Sequence, residues 1–350
     1  MERFLKIIRS RYFLAAFAIL LEFGQLLAVF ILLYEYFLPI AIMGWIFHFG
    51  VLLYLINRDE IPEFKLPWLM ILFLLPVIGA FVFMLLSSTE TSKKTTERYE
   101  RACLELKPYR RQTAAIDTLQ EQDPEAYAQA NYLYHAAAMP CYGNSKTTYY
   151  PLDFTPYLEV PMEPVDGQGY VIPFGDGPEP LYQDTIGKNV YLNMIHGAKD
   201  YLYITTPYLI CDHELLSALR MTAKKGVDVR LITPHVPDKK TVFLMTRSNY
   251  RVLIQDGVKI YEYTPGFIHA KSFVCDDRFA VCGTINLDYR SLVHHFECGA
   301  WMYGTSCIAD MKADFLATEA QSQIITLEQS KMRGWQRLLA ELMKVFSPLL

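Results

Sequence analysis

Three apolar runs near the N-terminus narrow what this chain can fold into more than any other feature. Residues 12–34 carry one acidic or basic side chain, Glu22. Residues 36–56 carry no Asp, Glu, Lys or Arg, and His48 is their one imidazole; residues 66–86 carry none of these. Each run has about the 20 residues that an α-helix needs to cross a bilayer core. A soluble core can hold one such helix, but three in succession predict membrane-anchoring transmembrane helices over 1–90. A cleaved signal peptide fits poorly, because its apolar region is shorter and ends at a small-residue site. Arg3, Lys6, Arg9 and Arg11 favour a cytoplasmic N-terminus. Lys93, Lys94, Arg98 and Arg101 favour the same side for the chain beyond the third run, and three crossings would forbid that. Glu22 and Gln25 interrupt the first run, so the sequence leaves two or three spans open.

Composition removes several function classes. A net charge of −4, with no basic stripe, gives no general pull towards nucleic acid. Seven cysteines, scattered and without a C-x-x-C pair, suggest neither a disulfide framework nor a zinc site. No metal and no cofactor are expected.

Chemistry concentrates in His269-Ala-Lys271-Ser-Phe-Val-Cys-Asp276, followed by Gly283-Thr284-Ile-Asn286. Average residue usages give this pattern a chance occurrence on the order of 10⁻⁵ in such a chain. Histidine can attack or protonate near neutral pH. Lysine sets a point charge against a phosphate oxygen. Asp276 can orient an imidazole, Gly283 permits close backbone approach, and Thr284 and Asn286 offer side-chain hydrogen bonds. Because His269 and Lys271 flank one residue, on a strand both would point to one face.

The pattern resembles the active-site signature of the phospholipase D superfamily. Its flanks, Ile204-Thr-Thr-Pro-Tyr208, Gly226-Val-Asp-Val-Arg230, Ile260 to His269 and Asn286-Leu-Asp-Tyr-Arg-Ser291, together with the apolar N-terminus, are similar to bacterial cardiolipin synthases. The resemblance runs from about Gly169 to the C-terminus and also covers residues 1 to about 152. The first catalytic repeat that such enzymes carry between those blocks is absent, since no other His stands two residues before a Lys. The resemblance implies a multi-pass protein of a bacterial cell membrane that joins two phosphatidylglycerol molecules into cardiolipin and releases glycerol through a phosphohistidine. It implies His269, Lys271 and Asp276 as catalytic residues and Gly283, Thr284 and Asn286 at the substrate phosphate. Glu297 stands where the family often places an acid that orients an imidazole, and Tyr208 and Arg290 match residues that shape the pocket. The family mechanism uses two histidines, one attacking phosphorus and one protonating the leaving alkoxide. A single-motif chain therefore needs a homodimer or a full-length synthase beside it. Two alternatives stay open: hydrolysis of phospholipid by water, and a silent chain that binds anionic membrane lipid or a complete synthase.

Along the chain, residues 91–168 read as a linker and remnant of the first repeat. Residues 151–180, dense in Pro, Gly, Asp and Glu, read as an irregular join. Over 169–350, helical spacing alternates with strands at Tyr201–Ile204, Val227–Leu231, Val258–Tyr261, Ser272–Cys275 and Phe279–Cys282, with a tight turn at Asp276-Asp277. This predicts an α/β layered domain following the transmembrane helices. The last helix, about 330–346, gathers Trp335, Leu338, Leu339, Leu342, Met343 and Phe346 on one side. Packing onto the sheet is the commoner use of such a face, and lying on an anionic membrane surface is the other.

Overall fold

Period-two alternation along the strands builds the centre of the fold. The computed structural model describes residues 34–58, 62–87, 93–150, 167–178, 181–182 and 184–349, together with 17, 19–25 and 27. The chain divides into two compact units, Met1–Glu90 with Pro348–Leu350, and Thr91–Ser347.

In the first unit, helix α1 (Tyr34–Asn57) contains one segment, Leu38–Asn57, that is long and apolar enough to cross a membrane. Most of its large side chains, among them Ile42, Met43, Trp45, Ile46 and Phe49, are exposed. The run 66–86, expected as one span, is instead split between α2 (Pro62–Leu74) and α3 (Pro76–Leu86). Pro76 has no N–H to continue the first helix and starts the second at a position that needs none. The two helices fold back on each other, so Trp68 and Phe83 meet edge to face at 5.3 Å. A Cβ on Gly79 would lie 2.8 Å from the Ile71 carbonyl oxygen, so this close approach requires glycine. His48 Nδ1 donates to the Pro76 carbonyl at 2.7 Å, a satisfied structural contact. The expectation for 12–34 falls largely outside the described residues; residues 19–25 are helical.

The second unit begins with α4 (Lys93–Leu106), α5 (Ala115–Gln122) and α6 (Pro124–Ala137). Residues 91–168 are therefore not simply a linker. Asp123 caps α6 by accepting from the Glu125 and Ala126 backbone N–H groups. Ala126, Ala130 and Leu133 enter the main core, and Trp301 Nε1 donates to Gln129 at 3.0 Å. After β1 (Tyr142–Gly143) comes β2 (Tyr170–Asp176), inside the stretch expected to be irregular. Its Pro and Gly residues mask an alternation in which Tyr170, Ile172, Phe174 and Asp176 are buried. Residues 151–166, where the join was expected, lie outside the described residues.

Helices and strands then alternate as the sequence predicts: α7 (Ile186–Gly197), β3 (Tyr201–Thr205), β4 (Leu209–Ile210), α8 (His213–Lys224), β5 (Asp228–Pro234), α9 (Lys240–Gln255), β6 (Lys259–Tyr263), β7 (Ser272–Cys275) and β8 (Phe279–Gly283). There follow β9 (Leu287–Asp288), β10 (Glu297–Tyr303), α10 (Cys307–Ala320), β11 (Ser322–Ile324) and α11 (Gly334–Phe346). Nine strands form one mixed sheet in the order β1-β2-β10-β8-β7-β3-β5-β6-β11. The unit β3-β5-β6 is parallel, joined by helical crossovers, while β7, β8 and β10 run antiparallel beside it. Leu202, Ile204, Val229, Leu231, Ile260, Phe273 and Trp301 face one core with α6 and α7. Tyr201, Tyr203, Ile232, Val274 and Met302 face the other, covered by Ile308, Met311 and Phe315 of α10. The result is an α/β layered domain with helices on both faces of the sheet.

Candidate active site

The candidate residues gather where the start of β7 lies beside the end of β3, with Ser272 opposite Thr205. Residues 264–271 precede β7 without strand pairing. The pleat therefore does not align His269 with Lys271; a side-chain contact does. Lys271 is buried, its Nζ donates to the His269 carbonyl at 2.5 Å, and it lies 2.9 Å from His269 Nδ1. Phe267 sits against the imidazole with ring centroids 5.5 Å apart. Tyr208, 6.5 Å from Phe267 between ring centroids, donates to Asp238 at 2.6 Å.

Electrostatics sort the protons. Desolvation and the Lys271 charge hold the His269 imidazole below its ordinary value, with Asp238 opposing them. Neutral imidazole, the form that can attack, is thus favoured near pH 7. Burial brings the Lys271 ammonium down to about 8, resisted by Glu297 and Asp288. Asp288 is itself pushed up by desolvation, against hydrogen bonds from the Ser291 N–H and the Asn286 amide. Buried Lys271 therefore stays cationic at neutral pH beside two carboxylates, and an entering phosphate would add to that compensation.

The remaining expected residues fall into two groups. Asn286 donates to Ser291 at 3.0 Å, and its buried carbonyl oxygen Oδ1 has no partner. A buried acceptor left open is costly unless a ligand or water meets it. Thr284 Oγ1 donates to one oxygen of Glu297, and the other lies 3.8 Å from His295 Nδ1, so Glu297 holds the threonine and a neighbouring imidazole and offsets Lys271. His295 Nε2 accepts from Arg290 at 2.8 Å. Gly283 matters for a different approach: a Cβ there would lie 2.3 Å from the Cys298 carbonyl oxygen on β10.

Asp276 lies in the turn expected for it, but its carboxylate turns to backbone N–H groups and not to the imidazole. It lies beyond the far end of β7, with Asp277, in a turn where both residues have φ of 54°. Its carboxylate accepts from the backbone N–H groups of Lys199, Asp200 and Tyr201 at 2.8, 2.9 and 2.8 Å. That fixes β7 against the start of β3 and puts the carboxylate to structural use. Sequence reasoning assigned no role to Asp238, Phe267 or Asp288. Asp238 follows the carboxyl end of β5, where sites in α/β sheets collect, and Asp288 lies in the Asn286–Ser291 flank already noted.

Part of the chain is similar to known proteins. Residues 191–318 match the family model described as cardiolipin synthase, PLD-like domain. An uncharacterized protein of Streptococcus mutans is 47% identical over 207 residues, covering 58% of this chain and 44% of that one. A cardiolipin synthase of Halalkalibacterium halodurans is 37% identical over 195 residues, 55% of this chain and 38% of that one. The aligned stretch spans less than half the length of these relatives. A solved phosphatidylserine synthase of Haemophilus influenzae aligns over 51% of this chain and 46% of that one, at 16% identity and a TM-score of 0.42. Residues 191–318 are thus similar to the PLD-like domain of cardiolipin synthases.

Proposed function

We propose that the chain is a membrane-bound phosphatidyltransferase that makes cardiolipin from two phosphatidylglycerol molecules with release of glycerol. The observation that carries this is the buried Lys271 side chain 2.9 Å from His269 Nδ1, within the segment matching the cardiolipin synthase family model. A phosphodiester needs a nucleophile, a proton donor and cationic compensation of its oxygens. Lys271 holds the phosphate, joined by an Asn286 N–H that turns to it from Ser291. As the ammonium turns to the phosphate it frees Nδ1 to carry the proton, leaving the Nε2 lone pair to attack phosphorus. Glycerol departs with a proton from a second acid, and a phosphohistidine remains. The free glycerol hydroxyl of a second phosphatidylglycerol then attacks phosphorus, loses its proton to that same group, and restores His269.

The second acid is His269 of a second chain, protonated as the negative charge of the entering phosphate offsets its desolvation, and brought in by a two-fold homodimer or replaced by the matching residue of a full-length synthase. Residues 1–90 anchor the assembly in the bacterial cell membrane through Leu38–Asn57, and the α/β unit carries the chemistry. Purified full chain incubated with phosphatidylglycerol in detergent should release cardiolipin and glycerol in equal amounts. Phosphatidic acid without cardiolipin would mark a hydrolase, and no product would mark a silent lipid- or synthase-binding chain.

A further inference from the structure

Helix α11 is built with the wrong side out for a soluble protein. Ala340 is its one buried residue, and Gln336 and Lys344 lie on the same side, where Lys344 Nζ donates to Asn249 of α9 at 2.6 Å. The apolar stripe points away: Trp335, Leu338, Leu339 and Leu342 are 62, 63, 41 and 45% exposed. A surface helix in water turns its apolar stripe inward. This one does the reverse, so its outer surroundings are apolar.

Charge decides between the possible surroundings. A cleft of about 530 Å³ flanks the stripe, lined in part by Arg251 of α9 and by Arg337, Glu341 and Lys344 of α11. Burial presses the Lys344 ammonium down, and the Arg337 charge adds to it. Glu341 stands 3.6 Å from Lys344 and offsets one charge of three. A second copy docking by the same face across a two-fold axis would bring these cations against their own images. An anionic bilayer complements them instead: acyl chains beneath the leucines, an interfacial indole, and phosphates in the cleft. The chain already holds a segment, Leu38–Asn57, that fits a bilayer.

We propose that the outward face of α11 lies in the interface of an anionic membrane, with Arg251 and Arg337 against lipid phosphates. This depends on the bilayer to which Leu38–Asn57 points and not on chemistry at His269. The surface would hold the α/β unit on the plane from which a lipid substrate is drawn.

The test uses full chain in proteoliposomes of phosphatidylglycerol and phosphatidylcholine, the latter brominated at shallow acyl positions. Emission of Trp335 is obtained as wild type minus Trp335→Phe, a conservative change at an exposed site among four tryptophans. At least half of that difference emission should be quenched by the brominated lipid, and aqueous acrylamide should have little effect. Quenching by acrylamide alone would place the face in water, and quenching by neither would place it under protein; either overturns the proposal. Arg251→Gln with Arg337→Gln should at least halve the bromolipid quenching in anionic vesicles. Unchanged quenching would remove the phosphate contacts from the account.

Discussion

His269 and Asp276 belong to one sequence pattern, yet the structure gives its two ends different work. At one end, Lys271 is buried and folded back onto His269, its carbonyl accepting from the Gly283 N–H just before β7 begins. At the other, Asp276 accepts three backbone N–H groups and fixes β7 to β3. Between them run the four residues of β7, Ser272–Cys275. A motif's spacing can therefore record the length of a strand that joins a reactive end to an anchored end. Equal prominence in the pattern does not mean equal proximity to the reaction.

Breaking the reactive end should have the largest effects. His269→Ala should lower cardiolipin formation by at least the roughly 10²–10⁴-fold that a positioned proton-transfer group contributes, with the thermal midpoint unchanged. Lys271→Ala should cost about 10²–10³-fold by removing the cation set against the phosphate oxygens. The same residue sets an alkaline limit. Below about 8 the ammonium is present, so kcat/KM of the wild type should fall as pH rises through that value. A flat profile to pH 9 would take Lys271 out of phosphate binding.

Two smaller effects sharpen the contrast. If each reaction needs His269 from two chains, co-expressing equal amounts of wild type and His269→Ala should leave about a quarter of the activity. A strictly proportional half, or full activity from a monomer, would direct attention to Asp288, the half-buried carboxyl pushed upward by desolvation whose charge acts on Lys271. Asp276→Ala should leave kcat of the folded enzyme nearly unchanged while lowering unfolding free energy by about 1–3 kcal/mol. A large fall in kcat at intact stability would return Asp276 to the chemistry.

Much of the α/β unit was legible because its strands are short apolar or alternating runs and its helices carry plain stop signals. Asp212 caps α8 through the Leu215 N–H, and α8 and α9 are followed by Gly226 and Gly257 at φ of 99° and 100°. β2 was hidden by its own Pro and Gly, because local turn residues outweigh an alternation that only pairing with β10 reveals. The fold-back at Pro76 was hidden for the opposite reason: hydropathy measures solvent preference and says nothing about a break in an apolar run. At the site, chemical identity singled out His269, Lys271, Thr284 and Asn286. Relations between distant segments, such as the contact of Asp276 with residues 199–201 or the charges of Glu297 and Asp288 acting on Lys271, are set by sheet order, which the local pattern does not contain. The outward stripe of α11 was visible as a stripe, but its direction was not.

The central claim is that His269 attacks phosphorus, and trapping the covalent product tests it most directly. Full-length protein is mixed with phosphatidylglycerol carrying radiolabelled phosphate, quenched in alkali within a single turnover and digested for peptide mapping. The account predicts an acid-labile, base-stable label on the peptide containing His269, absent from His269→Ala. Cardiolipin formed with no label on the chain, or with the label on another peptide, would contradict it.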